Sequence, residues 1–200
     1  DLDGNGERDP DEPVALTDAD GVWKIDGLPP GDYTVRMIPR GRVVPVSAEA
    51  SSMFSPSADP PARMIDGSGL VDDLHGTNWM TMWLTEAGDT SPTVRIGLGN
   101  PYVLTGLLLW NYNQAGLTER GFASMDVWVS ETGLGDPQSQ PGEWTRIADD
   151  LTFDEARGTN QCAAQARALD AAEAPARWVY LDDIHTFGAA GGEYAGLSEI

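Results

Sequence analysis

The sequence predicts an all-β protein, and three observations support this fold class. Apolar and polar residues alternate with a period of two in several stretches, which is typical of strands with one buried face. The 23 glycines and 14 prolines cluster with Asn and Asp between those stretches, as expected for a turn-rich fold. The Ala-rich stretch 161–173 lacks a good apolar stripe, so we interpret it as a loop or one short helix.

Four stretches are predicted as strands. Residues 94–98, 127–129 and 179–181 place Val, Ile or Leu at alternate positions, with polar, aromatic or glycine residues between them. Residues 102–112, YVLTGLLLWNY, are apolar on both faces, which predicts a central strand that is covered on both sides.

Composition divides the chain into three zones. Residues 1–46 contain a cluster of carboxylates followed by two short strand-like runs. Residues 47–62, SAEASSMFSPSADPPA, are small and rich in Pro and Ser, which predicts a linker. Residues 63–200 hold all but one of the seven tryptophans. We therefore predict a short β module over 1–46, a linker over 47–62 and a larger β domain over 63–200. The chain opens inside a motif and stops on an apolar residue, which predicts a piece of a longer multidomain protein.

Charge excludes two classes of partner. The chain has 32 acidic and 12 basic residues and a formal net charge of −20. Phosphate neutralisation needs clustered Lys and Arg, so we expect no nucleic-acid binding, and anionic lipid surfaces should repel the chain. No apolar run approaches the ~18–20 residues of a membrane span, so we expect no membrane insertion. Cys162 is the only cysteine, which suits the cytosol or an exported bacterial protein that uses metal ions in place of disulfides.

Residues 1–12, DLDGNGERDPDE, match the calcium-loop pattern D-x-D-x-N-G-x-x-x-x-x-E. Oxygen donors alternate along the loop, Gly6 permits a sharp turn, and a hard divalent cation needs about six to eight oxygens. The alternative is a solvated acidic turn. Pro13 follows the loop directly and argues against a helix there, so we place the loop between strands. The predicted calcium ligands are Asp1, Asp3, Asn5, the Glu7 carbonyl, Asp9 and Glu12.

The segment after the loop supports a strand-flanked site. Residues 17–38, TDADGVWKIDGLPPGDYTVRMI, combine an Asp-Gly turn with two short strands joined by Leu-Pro-Pro-Gly. With the loop, this segment resembles the repeats of bacterial surface proteins of the Ser-Asp-repeat B-type and carboxypeptidase-regulatory-like families. The resemblance implies a β-sandwich stalk module in a secreted or cell-surface protein.

Three further motifs occur in order along residues 63–200. They are HGTNWMTMW at 75–83, LLLWNYNQAGLTERG at 107–121, and RWVYLDDI at 177–184 with YAGLSEI at 194–200. Together they resemble the galactose-binding-like superfamily, which comprises discoidin domains and related carbohydrate-binding modules. The resemblance implies an eight-stranded jelly-roll β-sandwich with adjacent terminal strands.

The same resemblance implies a second cation where those terminal strands meet. Thr81 matches the family threonine, Glu199 matches the carboxylate ligand, and carbonyl oxygens are expected from Asn78 and Ser198. His75 stands where the family has an aspartate, and His is a poor calcium ligand, so Asp72 or Asp73 is the expected substitute. The alternative is a sandwich closed by hydrogen bonds, with Glu199 simply exposed.

A sugar site is also implied, in loops at one end of the barrel. Sugars present CH faces that stack on aromatic rings and hydroxyls that need polar partners. Asn111 and Asn113 could equally hydrogen-bond loop backbone, and Arg120 could form a salt bridge. The candidate sugar ligands are Trp79, Asn113, Arg120, His185 and Tyr194.

Little in the sequence favours catalysis. The only two histidines, His75 and His185, lie in different motifs, and no nucleophile elbow, phosphate loop, zinc helix or dinucleotide fingerprint occurs. We therefore expect a non-catalytic extracellular calcium-binding module that recognises a glycan or cell-surface polysaccharide. The alternatives are a structural or adhesive spacer without sugar affinity, or an accessory domain of a larger secreted glycoside hydrolase.

Overall fold

The computed structural model describes residues 24, 25, 27, 41–170, 175–188 and 193–200. The chain divides into two units, Asp1–Arg40 and Gly41–Ile200, and the account below concerns the second. The predicted calcium loop at residues 1–12 and almost all of the following hairpin lie outside the described residues.

The second unit is built from short and medium strands. The strands are β1 (Ser47–Ala50), β2 (Leu70–Val71), β3 (Leu74–His75), β4 (Trp83–Leu84), β5 (Val94–Tyr102), β6 (Gly106–Asn111), β7 (Phe122–Ser130), β8 (Thr145–Thr152), β9 (Cys162–Ala163), β10 (Gln165–Ala168), β11 (Ala176–Thr186) and β12 (Gly196–Glu199). Short 3₁₀ turns occur at Pro61–Met64, Trp79–Thr81 and Thr118–Arg120. In the described part of the chain, no helix is long and apolar enough to cross a membrane.

The larger sheet has five antiparallel strands in the order β1-β5-β11-β7-β8. The alternation read from the sequence is confirmed here, because the alternate apolar side chains are buried and the residues between them face the other side. Leu181 lies opposite Val94 on β5 and opposite Val127 on β7, so one row of the sheet presents three buried side chains to the core. After Asp182 the register shifts, and Asp183 has a positive φ of 46°, which marks a bulge that returns Ile184 to the core.

The smaller sheet has four strands in the order β10-β6-β12-β4. Of the stretch 102–112 that the sequence predicts as one central strand, only Gly106–Asn111 forms β6, which lies between β10 and β12, while Tyr102 ends β5 and residues 103–105 connect the two strands. Its first half is not covered on both sides, since Leu108 is 37% exposed, but its second half is buried. Leu109 belongs to the apolar cluster shared with the larger sheet, while Trp110 donates its Nε1–H to the Asp73 carbonyl at 2.9 Å and carries Arg42 over its ring at 4.9 Å. The two sheets enclose one apolar core, so the unit is the predicted β-sandwich.

Two segments differ from the sequence-based interpretation. Residues 47–62, predicted as a linker, instead contain β1, which pairs with β5, and the 3₁₀ turn at Pro61–Met64, whose Met64 is fully buried. Residues 162–168 form β9 and β10 rather than a loop or helix. In both segments the side chains are small, so the sequence shows no apolar alternation. These strands form because they pair with a neighbouring strand, which a single segment of sequence does not reveal.

Antiparallel pairing brings several loops to one end of the sandwich. Strands β1, β4, β6, β8 and β11 all end there. We call this the loop end, and it comprises residues 51–60, 85–93, 112–121, 153–161, 187–188 and 193–195. A small sheet, β2-β3-β9, flanks it, and its β2–β3 hairpin turns at Asp72 and Asp73, whose φ angles of 53° and 60° suit a tight two-residue turn.

Candidate functional site

The loop end brings an aromatic pair and an arginine together from three different loops. Tyr194 precedes β12, and Phe54 follows β1. Their rings meet edge to face with centroids 6.0 Å apart. The Arg120 guanidinium, at the end of the β6–β7 loop, lies over the Tyr194 ring with its Cζ 4.6 Å from the centroid. Phe54 is 51% exposed, so this group presents apolar surface and guanidinium N–H donors side by side.

A buried apolar patch supports this group from below. Met82, Leu84 and Tyr112 are buried, and Tyr194 packs against them. The Tyr112 hydroxyl donates to the Gln114 side chain at 2.8 Å, and burial raises the pKa of that hydroxyl. The patch fixes the Tyr194 ring in place, so Arg120 rests on a preorganised surface.

Asn113 has a structural role instead of the predicted sugar contact. It is completely buried, and its amide N–H groups donate to the carbonyls of His75, Gly76 and Thr159, while its carbonyl accepts from the Gly158 N–H at 2.9 Å. Both amide N–H groups are therefore engaged, and complete burial keeps the side chain out of reach of a ligand.

Asn111 is used in the same way. It is completely buried, its amide donates to the Phe122 and Asp154 carbonyls, and its carbonyl accepts from the N–H groups of Tyr112 and Phe122. Of the two readings left open by the sequence, the structure supports backbone bonding for both asparagines.

Trp79 and His185 are not brought into the aromatic–arginine group by any contact in the described structure. Trp79 is 39% exposed in the 3₁₀ turn before β4. His185 stands on β11 opposite Ser124, and its Nε2 lies 3.5 Å from the Asp183 carboxylate. Of the five candidate sugar ligands, the structure therefore brings together Arg120 and Tyr194.

Glu199 is a buried carboxylate with a single shared donor. It is 4% exposed, and both of its carboxylate oxygens accept the Gly67 N–H at 3.2 Å. Burial is the main cause that raises its pKa to about 7, and the nearby Asp66 carboxylate adds to the rise. The structure therefore contradicts the alternative of an exposed Glu199, because the 3₁₀ turn at Pro61–Met64 and the segment after it cover the side chain.

The acidic neighbour of Glu199 is Asp66, which is followed by Gly67. The sequence interpretation instead assigns the expected aspartate position to His75, with Asp72 or Asp73 as its substitute. Residues Asp72 and Asp73, the expected substitutes, instead form the β2–β3 turn and are exposed. Asp66 accepts from the Ser68 N–H at 2.8 Å and pairs with Arg63 at 3.0 Å. Its negative charge is close enough to Glu199 to raise the pKa of the Glu199 carboxyl.

The other predicted cation ligands have partners of their own. The Thr81 hydroxyl donates to the Asn78 carbonyl at 2.7 Å, and the Ser198 hydroxyl donates to the Asn111 carbonyl at 2.8 Å. The Asn78 carbonyl also accepts the Thr81 N–H at 3.0 Å, so both of its lone pairs are used, whereas the Thr81 hydroxyl oxygen keeps lone pairs for a cation. No three His, Cys, Asp or Glu side chains converge as a metal cluster within the described ranges.

His75 is buried beside this region. Its Nδ1 bonds the Gly76 carbonyl at 2.9 Å, its Nε2 has no hydrogen-bond partner, and burial lowers its pKa. Its ring lies so close to Gly69 that a Cβ there would be 2.0 Å from Nε2. His75 is therefore a neutral packing residue under the β2–β3 hairpin, consistent with its being a poor calcium ligand.

No family model matches the sequence, and no curated protein matches it. Solved structures do match. A carbohydrate-binding module of family 32 from Clostridium perfringens, in complex with GalNAc-β-1,3-galactose, is 16% identical with a TM-score of 0.52, covering 76% of this chain and 91% of that one. Chitosan-binding module 1 of a Paenibacillus sp. IK-5 chitosanase/glucanase is 17% identical with a TM-score of 0.51, covering 78% and 93%. A mutant lectin-binding domain of lectinolysin, complexed with Lewis b, is 16% identical with a TM-score of 0.52, covering 82% and 95%.

The chain has a galactose-binding-like fold. Within this galactose-binding-like sandwich, sequence reasoning missed two residues of interest. Phe54 lay in a segment read as a linker, and the only signal was a lone aromatic among small residues. Asp66 was signalled by the Asp-Gly pair at 66–67, which precedes the inserted β2–β3 hairpin and so lies farther from Thr81 than expected.

Proposed function

We propose that the galactose-binding-like sandwich is a non-catalytic module that recognises carbohydrate at its loop end. The observation that carries the proposal is the meeting of Phe54, Tyr194 and Arg120 from three separate loops. The exposed Phe54 ring offers a face for the CH groups of a sugar ring, and the Arg120 guanidinium offers paired N–H donors to adjacent hydroxyls. The solved structures of similar fold support this proposal, since those proteins bind GalNAc-β-1,3-galactose, chitosan and Lewis b, respectively.

A glycan array followed by calorimetry tests the proposal on the full chain. Phe54→Ala and Arg120→Ala should each weaken binding to the array hits by at least about tenfold, because each removes a stacking surface or a donor pair worth about 1–3 kcal/mol. His185→Ala is the matched control, since this exposed residue lies outside the group, and it should bind as the unmodified chain does.

Equal losses in all three variants would contradict the site assignment. If no glycan binds while calcium still stabilises the protein, the structural or adhesive spacer becomes the better account of the module.

We further propose that Glu199 and Asp66 hold a calcium ion, with the Ser198 carbonyl and the Thr81 hydroxyl oxygen among the remaining ligands. Support comes from the buried Glu199 carboxylate, which has only the shared Gly67 N–H as a hydrogen-bond partner. The Ser68 hydroxyl, which is buried and has no hydrogen-bond partner among the described residues, points the same way. A bound cation would compensate the buried negative charge and tie the 61–68 segment to β12.

Thermal unfolding with calcium or chelator tests this second proposal. A cation that binds only the folded state at about 100 times its Kd should add about 2.7 kcal/mol to the free energy of unfolding. Glu199→Gln should lose most of that gain. Glu12→Gln removes the closing ligand predicted for the 1–12 loop, so it reports separately on that site. A calcium effect that survives in Glu199→Gln and disappears in Glu12→Gln would place the ion in the first unit alone.

The proposed setting is a secreted or cell-surface protein in which this chain is one part of a longer multidomain polypeptide. The acidic calcium loop predicted at residues 1–12 supports this setting, because such loops staple extracellular stalk modules in the families it resembles. A role as the accessory domain of a larger glycoside hydrolase is compatible with the same binding site.

A further inference from the structure

We propose that the loop end selects sugars by charge, favouring amino sugars over uncharged sugars and uncharged sugars over acidic ones. This inference rests on the proposed sugar site. It concerns the charges on the loops around Phe54, Tyr194 and Arg120, in addition to the contacts that these three residues make with a sugar.

Carboxylates outnumber cations on the loops around that group. Five carboxylates of the loop end have no arginine partner among the described residues; they are Glu86, Asp89, Glu119, Glu155 and Glu193. The cations of the same loops are Arg120 and Arg157.

Backbone contacts hold three of these carboxylates beside the site. Asp89 forms a parallel bridge with Tyr194, the Gly88 N–H donates to the Glu193 carbonyl at 2.7 Å, and the Gly188 N–H donates to the Glu119 carbonyl at 2.9 Å. Glu193 and Glu119 directly precede Tyr194 and Arg120 in the chain. The backbone that carries these carboxylates is therefore held beside the Tyr194 ring and the Arg120 guanidinium.

The site's own cation is partly engaged. The Arg120 guanidinium covers the Tyr194 ring and interacts with the Tyr112 hydroxyl, where it opposes the effect of burial on the tyrosine pKa. Arg120 can therefore donate hydrogen bonds to sugar hydroxyls, but it does not reverse the sign of the surrounding field. A uronic-acid or sialic-acid carboxylate would meet a net repulsion at this end of the sandwich.

The size of the effect follows from Coulomb's law. A unit charge on a ligand about 10 Å from one carboxylate changes affinity about twofold at low salt in water. Arg120 contacts the ligand, so it acts from about 4 Å and opposes the carboxylates about sixfold, while Arg157 opposes them about twofold. The five carboxylates together contribute about thirtyfold, so the net change in affinity should be about threefold for each unit of ligand charge and should vanish at about 0.5 M salt.

Two matched ligand pairs test the proposal with the full chain. Oligogalacturonate and its methyl ester share one backbone and differ in negative charge, and chitosan and chitin oligomers share another and differ in positive charge. Calorimetry at low salt should show about threefold tighter binding for the methyl ester than for the acid, and for chitosan than for chitin, in whichever pair the site accepts. The double variant E119Q/E193Q should shrink the ratio about fourfold, whereas the control D170N/E143Q, on carboxylates of the opposite end, should leave it unchanged.

Tighter or equal binding of the acidic sugar, or a ratio that ignores E119Q/E193Q, would overturn the charge selection while leaving the sugar site in place. If no member of either pair and no glycan on an array binds, both the proposed sugar-binding function and this charge selection are refuted.

Discussion

Asp59 makes a prediction that can be worked out numerically. The side chain is completely buried at the loop end, and neither carboxylate oxygen has a hydrogen-bond partner. Burial raises the pKa of Asp59 from 3.8 to about 6, with Arg63 as the opposing influence. The folded state therefore holds the proton more tightly than the unfolded state. Stability is unaffected below pH 3.8, falls as the pH rises from there to about 6, and stays reduced above it. A shift of about two pKa units corresponds to about 3 kcal/mol.

Replacing Asp59 with Asn removes the titration and keeps the shape. Any fixed cost of burying the amide is the same at every pH, so it cancels when the free energy of unfolding is compared at two pH values. Relative to the unmodified chain, Asp59→Asn should gain about 3 kcal/mol between about pH 4 and about pH 8 in urea unfolding. Asp170→Asn, at an exposed position, is the control and should gain nothing. A difference between Asp59→Asn and the unmodified chain that is identical at both pH values would refute the reasoning.

Three further outcomes follow from buried contacts. Asn113→Ala should cost about 2–4 kcal/mol of stability because several backbone groups lose their partner, yet calorimetry should show unchanged glycan affinity in the folded fraction. Gly196→Ala should destabilise by at least about 1–3 kcal/mol because its Cβ would lie 2.6 Å from the Tyr112 ring and 2.8 Å from a backbone carbonyl. Gly142→Ala, with nothing within 4 Å, is its neutral control in a thermal melt. The Cys162 thiol, whose pKa is raised by burial, should react with iodoacetamide more slowly in the folded chain than in urea.

The parts of the fold that were predictable are those in which sequence pattern and burial coincide. Residues 94–98, 127–129 and 179–181 alternate and lie in β5, β7 and β11 of the larger sheet, so these positions could be assigned to a face from the sequence. Strand β6 carries apolar side chains on both faces and is central. Short strands such as β1 and β10 were not predicted, because Ser, Ala and Gln give little apolar alternation. These strands form only through pairing with the strands beside them.

The candidate site was predictable in part for a different reason. Tyr194 and Arg120 stand in motifs whose spacing resembles a known fold, so their loops could be anticipated. Phe54 and Asp66 reach their neighbours only through long-range pairing, and Asp66 lies 133 positions before Glu199. Such contacts depend on which loops converge, and no local pattern encodes that convergence. Asn113 shows the converse, since its residue type suits a ligand and a backbone clamp equally.

The clamp formed by Asn113 has a consequence for how this end of the molecule can vary. One side chain fixes the relative positions of the 75–76 turn and the 158–159 turn, which lie 37 and 45 positions away in the chain. Those two segments therefore keep a fixed position relative to each other, and the length of one cannot change without disturbing the other. The 114–119 stretch begins directly after Asn113 and ends before Arg120, so it lies outside the contacts that the Asn113 side chain makes. Exchanging this stretch should change binding specificity at the loop end, while the two segments that Asn113 joins keep their geometry.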